Sequence, residues 1–341
     1  MGMRVLFLQS VHQTHDERVW YHQRASLIEH GAEVEVIGAL AYPRWKNQQK
    51  RSYDVIITDT PKAVLKAHLY SFNKSTKIVY DITEWYPSKK NLKIFFLFKP
   101  IKALVLLLFN LWAGCMADAF IFGEKDKMFP FSQLFPNKKY ILLPYYPDLT
   151  YLSPSEPRDI SKCCSVLYAG PLTAEKGWDN VQETLAMAAK ILPEIRWKLI
   201  VISNNDLHFS ISMPSAIAIE YHPYMPFMEF CHIIQEADVM LDLRKIDREN
   251  TRCLPIKLFY YMACGKPSIY SNLQAITKAI PDISKAVFLV SDAKSAATIL
   301  CRLVREPLSY VNMCNSALSM AHNNYNWSVI IQTFIQFIYA V

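Results

Sequence analysis

The spacing of hydrophobic and polar positions along the first half of this chain predicts alternating strands and helices. Short apolar runs, typical of buried strands, are separated by segments with helical spacing. The predicted strands are Arg4–Gln9, Val34–Gly38, Val55–Thr58, Lys77–Tyr80, a short one ending at Ile121, and Tyr140–Leu143. The predicted helices are one that opens at Thr14 and ends at Gly31, and one over Lys62–Ser71. This βαβ order predicts a parallel, doubly wound sheet.

The same alternation restarts after Pro144–Lys162, a segment rich in proline, serine and acidic residues that has the composition of a linker. The predicted strands are Val166–Ala169, Lys198–Ile202, Ile217–Tyr221, Val239–Leu241, Ser268–Tyr270 and Ala286–Val290. The predicted helices are Asp179–Leu192, Phe227–Glu236, one that stops at Gly265, Lys294–Val304 and two segments from Leu308. We therefore predict domains at 1–150 and 151–323, with a terminal helix in 324–341.

Composition narrows the class of protein. With 52% hydrophobic residues, the 341-residue chain can bury the cores of two domains, and intrinsic disorder is not expected. The net charge of +7 favours an anionic partner such as a nucleotide or an acidic membrane surface. Nucleic acid is not expected, because no zinc-ligand spacing, helix-turn-helix or RNA-recognition motif is present. Eight cysteines without a CxxC and a start without a secretory signal predict a cytoplasmic protein with reduced thiols.

The region 92–117 is unusually apolar and admits three interpretations. A buried or kinked helix pair is the structural one. An interfacial helix, with nearby lysines drawn to acidic lipid, is the functional one. Those lysines are Lys89, Lys90, Lys93, Lys99 and Lys102. A membrane span is disfavoured, because Lys99, Pro100 and Lys102 leave an uninterrupted run of about 15 residues where roughly 20 are needed.

Two segments of the second half have the pattern of phosphate-binding helix starts. Asn250, Thr251 and Arg252 precede a helix that has Pro255 in its first turn and Lys257 one turn inside. In 167–181, a strand leads through Gly170, Lys176 and Gly177 into a helix, so backbone amides and a cation could meet a diphosphate. Ordinary helix starts and βα turns in α/β proteins give similar patterns, so spacing alone leaves both explanations open.

Candidate polar residues of the first half follow predicted strands. His12 and Asp16 lie in the loop after the first strand, and Asp81 and Glu84 follow the fourth. At the carboxyl edge of a parallel sheet such side chains could position hydroxyls or move protons. The structural alternatives are stabilisation of a helix dipole by Asp16, an ordinary loop position for His12, and turn capping by Asp81.

Read together, these strings resemble the GT-B glycosyltransferases, in particular the retaining family four. PIKLFYYMACGKP (255–267) resembles the family's P-x-K-L-F-E-Y-M-A-x-G-K-P, GPLTAEKG (170–177) its G-R-L-x-x-E-K-G, and DITEWYP (81–87) its D-x-H-E-x-Y-P. His12, Asp16 and Arg18 match its first helix, and the tail YNWS (325–328) also fits. This chain departs from the pattern at four positions: Pro171, Thr83, Tyr260 and Arg252.

The resemblance implies an α/β GT-B fold: two Rossmann-like domains facing a cleft, with a C-terminal helix that crosses back to the first. It implies a retaining hexosyltransferase that moves a sugar from a nucleotide-diphosphate donor to a hydroxyl of a glycan or lipid-linked acceptor. The implied role is cell-surface polysaccharide synthesis, at the inner face of the cytoplasmic membrane. The implied donor-binding residues are Gly170, Lys176, Gly177, Asn250, Thr251, Arg252, Lys257 and Tyr260, and the implied catalytic residues are His12, Asp16, Asp81 and Glu84.

No metal is expected, because the sequence contains no DxD pair, and no cofactor is expected beyond the nucleotide sugar as co-substrate. Two other functions remain open. A catalytically weak or silent GT-B protein that binds a glycan or partner would explain the lost arginine and glutamate positions. A nucleotide-sugar epimerase shares the fold, although the family strings favour a transferase.

Overall fold

The chain forms two compact units. The computed structural model describes residues 2–10, 16–39, 41, 52–71, 75–83, 92, 95–204, 213–247 and 249–341. Unit 1 comprises Met1–Tyr145 together with Trp327–Val341, and unit 2 comprises Tyr146–Asn326. The division therefore falls close to the predicted boundaries after residues 150 and 323.

Unit 1 is built on a six-stranded parallel sheet. Its strands are β1 Arg4–Gln9, β2 Glu33–Gly38, β3 Val55–Thr58, β4 Lys77–Ile82, β5 Ala119–Phe122 and β6 Lys139–Leu142. They lie in the order β2-β1-β3-β4-β5-β6. The central strands β1, β3, β4 and β5 are mostly apolar because both faces of the sheet are covered, by one cluster that includes Leu6 and Leu8 and another that includes Val5 and Phe7. The edge strands β2 and β6 are more polar and less buried.

The first helical segment of unit 1 differs from the single helix that was predicted to end at Gly31. Arg18–Arg24 is a π-helix, which continues as the α-helix Ala25–Glu29. Its buried residues, Arg18 with Val19 and His22 with Gln23, recur four positions apart and so lie on one face of the segment. The other helices are Pro61–Tyr70, Lys99–Met116, Phe131–Leu134 and Trp327–Ala340.

Unit 2 repeats the architecture with a second parallel sheet. Its strands are β7 Cys163–Ala169, β8 Arg196–Ile202, β9 Ile217–His222, β10 Val239–Asp242, β11 Ser268–Ser271 and β12 Val287–Val290. They lie in the order β12-β11-β10-β7-β8-β9. The helices are Trp178–Ile191, Phe227–Glu236, Ile256–Ala263, Gln274–Ala279, Ala293–Arg305 and Pro307–Asn324. Two buried apolar clusters cover the two faces of this sheet, so the predicted doubly wound fold is confirmed.

The helix Lys99–Met116, which we call the apolar helix, does not form a buried pair. Together with the preceding turn Phe96–Phe98 it is, within the described residues, the one segment long and apolar enough to cross a membrane. Only 11% of its most apolar window is buried. The interpretation of this region as a buried or kinked helix pair is therefore wrong.

The last helix, Trp327–Ala340, closes unit 1. Phe334, Ile335, Phe337 and Ile338 pack in the cluster that covers Val5 and Phe7 of β1. At its start, Trp327 is 3% exposed, stacks on His22 with ring centroids 5.4 Å apart, and donates its indole N–H to Ser26 Oγ at 2.7 Å. Trp327 thus joins the end of the chain to the first helical segment.

We expect Trp327→Phe to lower the free energy of unfolding by about 1–3 kcal/mol, because the hydrogen bond to Ser26 and part of the buried indole are both lost. The measurement is the urea midpoint. Trp112→Phe is the matched control, since Trp112 is exposed on the apolar helix and its replacement should change stability by less than about 0.5 kcal/mol. Equal midpoints for the two variants would contradict this role for Trp327.

Candidate active site

The candidate donor site of unit 2 lies where its strand order reverses. From β7 the chain proceeds to β8 and β9 on one side, whereas β10, β11 and β12 lie on the other. The carboxyl ends of β7 and β10 therefore flank a switch point, the place where parallel α/β sheets bind ligands. The loop after β7 contains Gly170, Lys176 and Gly177, and the segment after β10 leads to Asn250 and Lys257.

Lys257 lies at the carboxyl end of β7. Its ammonium donates a hydrogen bond to the Ala169 carbonyl, the last of that strand. A methyl group placed on Gly170 would lie 3.9 Å from Lys257 Nζ and 3.3 Å from the hydroxyl of Tyr168. That hydroxyl donates to the carbonyl of Pro171 at 2.6 Å and of Lys176 at 3.3 Å. Tyr168 therefore shapes the loop after β7, from Gly170 to Gly177. The sequence analysis missed this role.

Gly177 has a structural role that the sequence analysis did not predict. Its φ is +83°, and a methyl group there would lie 2.1 Å from the carbonyl carbon and oxygen of Leu243. Because glycine alone combines a left-handed conformation with so close a contact, the loop after β7 presses directly on the segment after β10. Asn180 reinforces the contact by donating to the Leu243 carbonyl at 2.9 Å. Gly177 thus assembles the site, and an amide contact with ligand stays a prediction.

Asn250 fastens the same two segments together. It is 3% exposed, and its side-chain amide donates to the carbonyls of Lys245 at 3.0 Å and Glu175 at 3.5 Å. Thr251 is half-buried and Arg252 is exposed in the short helical turn that Asn250 begins. Lys176 pairs with Glu175 at 3.3 Å and keeps 37% of its side chain exposed. The structure therefore brings the predicted loop and Asn250 together and leaves Arg252 at the surface.

A buried ion pair, also missed from the sequence, ends β10. The guanidinium of Arg244 forks onto the carboxylate of Asp242, with Nε 2.7 Å from Oδ1. Burial lowers the pKa of Arg244, but Asp242 outweighs it, so the net pKa is raised. Burial, with Asp242 adding to it, raises the pKa of the tyrosines Tyr168, Tyr261 and Tyr270. Because Asp242 neutralises Arg244, the pair adds no net positive charge for a diphosphate.

A cavity of about 330 Å³ opens at this edge of unit 2, beyond the ends of β10, β11 and β12. It lies on the β12 side of the switch point, and none of the predicted donor-binding residues lines it. Polar and apolar side chains both line it, and the residues are Ala174, Asp179, Asn180, Leu243, Arg244, Lys245, Ile246, Ser271, Val290, Ser291 and Asp292.

Tyr260, at the position where the resemblance gives a ribose-binding glutamate, is 4% exposed. Its ring packs on Phe227 and Phe230, with centroid distances of 5.6 Å and 6.4 Å. The aromatic ring therefore serves the core between the helices Phe227–Glu236 and Ile256–Ala263. A contact with the donor ribose stays a prediction.

In unit 1, Asp81 belongs to a buried ion pair. The sequence analysis placed Asp81 after this strand, but β4 extends to Ile82, so Asp81 lies inside it. Its carboxylate is 3.2 Å from Arg18 Nη2 and accepts a hydrogen bond from Gln23 Nε2 at 3.3 Å. The Arg18 guanidinium lies 4.0 Å from the ring centroid of Tyr145. Burial, the largest single effect, lowers the pKa of Arg18, but Asp81, Tyr145 and Asp16 together outweigh it, and the net pKa is raised.

This pairing constrains the chemistry of unit 1. Its contacts with Arg18 and Gln23 suit Asp81 to fixing the first helical segment against β4. Asp16 lies just before that segment, where its side chain accepts from the Arg18 amide at 3.1 Å. His12 and Glu84 lie outside the described residues. The catalytic roles of all four residues stay predictions.

Comparison with solved structures fixes the fold. HepE from Anabaena, in complex with UDP and glucose, matches with a TM-score of 0.72 and 15% identity over 100% of both chains. Sucrose-phosphate synthase from Thermosynechococcus elongatus matches with a TM-score of 0.67 and 12% identity over 99% of this chain and 100% of its own.

A glycosyltransferase from Rickettsia africae matches with a TM-score of 0.65 and 12% identity over 98% of this chain and 97% of its own. The fold is GT-B. No protein-family profile matches the chain, and no curated protein matches it significantly. At these identities the likeness establishes the fold, and the site residues rest on the geometry above.

We expect Asp81→Asn to lower the free energy of unfolding by about 3–5 kcal/mol, because it leaves the buried guanidinium of Arg18 without its carboxylate. The measurement is urea unfolding. Glu33→Gln is the control: it breaks the exposed pair with Arg4 at 3.2 Å, which should be worth at most about 1 kcal/mol. An Asp81→Asn variant as stable as the wild type would show that the pair is not structural.

Proposed function

We propose that this protein is a retaining glycosyltransferase that moves a hexose from a nucleotide-diphosphate donor to an acceptor hydroxyl. The observation that carries the proposal is the position of Lys257, whose ammonium lies beside Gly170 at the switch point of unit 2. A cation at this edge, next to a glycine loop and a helix start, is suited to a diphosphate.

The chemistry required of unit 2 is stabilisation of a leaving nucleoside diphosphate. Lys257 and Lys176 supply positive charge. The first turn of Ile256–Ala263 supplies backbone amides, because the residue at its N-cap, Pro255, makes no capping hydrogen bond with its side chain. We propose that these groups do the work without a metal, because the sequence lacks a DxD pair. HepE and an α-glucosyltransferase of the same fold bind UDP-glucose, which makes UDP-sugars the first donors to test.

The proposed acceptor is a glycan or a lipid-linked saccharide, and the proposed setting is cell-surface polysaccharide synthesis in the cytoplasm. The resemblance to retaining family four supports this assignment. The net charge of +7 also suits an acceptor that carries phosphate.

A thermal-shift comparison of nucleoside diphosphates tests the donor site. One nucleotide at 100 times its dissociation constant should stabilise the protein by about 2.7 kcal/mol. Lys257→Ala should weaken that binding at least tenfold, because a charge-assisted contact with phosphate is worth about 1.5–3 kcal/mol. Lys190→Ala, which removes an exposed lysine from the last turn of Trp178–Ile191, should leave binding unchanged.

Two outcomes would count against this function. If no nucleoside diphosphate or UDP-sugar stabilises the wild type, the silent binding protein becomes the better explanation. If a nucleotide binds but Lys257→Ala and Lys190→Ala bind it equally well, the protein recognises nucleotide at some place other than the switch point.

Position 171 provides a gain-of-function test. Pro171 is exposed and lies where the resemblance gives a diphosphate-binding arginine. We expect Pro171→Arg to tighten nucleoside-diphosphate binding about tenfold, since the loop gains a cation. The measurement is isothermal titration calorimetry, with Pro171→Gln as the uncharged control. Weaker binding by the arginine variant than by the glutamine variant would refute the equivalence of this loop with the family's.

A further inference from the structure

The apolar helix turns its hydrophobic side chains toward solvent. Nine large apolar residues between Phe95 and Trp112 are 44% to 64% exposed. Three lie in the turn before the helix, one lies just before that turn, and five recur at helical spacing on one face. They are Phe95, Phe96, Leu97, Phe98, Ile101, Leu104, Val105, Leu108 and Trp112. We call these nine residues the apolar face.

The opposite side of the helix is the side that holds it to unit 1. Asn110, Ala113 and Gly114 are buried, and Asn110 Oδ1 accepts a hydrogen bond from the Tyr80 hydroxyl at 2.8 Å. The last carbonyls accept from Lys138 Nζ, with Gly114 at 2.8 Å and Cys115 at 2.7 Å. A helix on the surface of a globular protein normally directs its polar residues outward, so this arrangement is the reverse of the usual one.

The charges in the sequence that carries the apolar face have one sign. Lys99 and Lys102 lie in the first turns of the helix, and the chain has no acidic residue from 85 to 117. Lys89, Lys90 and Lys93 precede the face in sequence. A cationic border with interleaved phenylalanines and a tryptophan is the composition of segments that bind anionic lipid at the headgroup boundary.

The topology decides between lying on a bilayer and crossing it. The strands β4 and β5, which precede and follow the apolar helix, pair in parallel within one sheet. The second half of the helix packs on that same unit through Asn110 and Ala113. The apolar helix therefore cannot be surrounded by lipid unless it separates from the sheet of unit 1.

We propose that the apolar face is a docking surface for an anionic lipid bilayer, in which the helix lies in the plane of the interface. The apolar side chains enter the headgroup boundary, and the lysines contact lipid phosphates. Unit 1 is thereby attached peripherally, without a membrane span. This surface is separate from the donor residues of unit 2, so it does not depend on the function proposed above.

Flotation of the full-length chain with lipid vesicles tests the proposal. Vesicles of one part phosphatidylglycerol to two parts phosphatidylcholine should carry the wild type upward at low salt, and added salt should weaken binding. The double variant Leu104→Gln/Leu108→Gln should bind at least tenfold more weakly. Ile191→Gln/Leu308→Gln removes two exposed apolar side chains of unit 2 and should float as the wild type does.

Three results would overturn the proposal. The wild type could remain at the bottom of the gradient with these vesicles at low salt. The Leu104→Gln/Leu108→Gln variant could float like the wild type. Finally, sedimentation velocity could show a wild-type dimer that this variant converts to monomer, with no flotation of either, which would assign the face to a second copy of the chain.

Discussion

The contact between Gly177 and the Leu243 carbonyl is the constraint on which the candidate donor site depends. It joins the loop after β7 to the segment after β10, and Asn180 and Asn250 tie the same segments with side-chain amides. Lys176 belongs to the first of these segments, and Lys257 follows the second. Their placement at one sheet edge therefore follows from a backbone contact that only glycine permits.

Each unit places a buried arginine–aspartate pair near its sheet. Arg18 pairs with Asp81 in unit 1, and Arg244 pairs with Asp242 in unit 2. Such pairs are costly to break, yet they carry little net charge. They therefore fix the local backbone in both units, and in the proposed function it is the lysines that attract the ligand at the switch point.

The sequence was sufficient for the strands and most of the helices, because long apolar runs in parallel sheets are covered on both faces. The helix Phe227–Glu236 has its predicted bounds. Individual side-chain contacts were not accessible: Arg18 with Asp81, Tyr168 with the loop after its own strand, and Tyr260 with two phenylalanines. Hydropathy also could not decide what covers the apolar helix, since buried and lipid-facing segments have similar composition.

The helix Trp327–Ala340 has a consequence for biosynthesis. It covers Val5 and Phe7, yet in the sequence all of unit 2 lies between this helix and the strands that it covers. On the ribosome, the first sheet therefore emerges early and keeps part of one apolar face uncovered until Trp327–Ala340 has been made. Unit 2, which is continuous in sequence, can complete its core before unit 1 does. The order of folding is thus expected to be the reverse of the order of synthesis, and the nascent first unit is the species most exposed to aggregation.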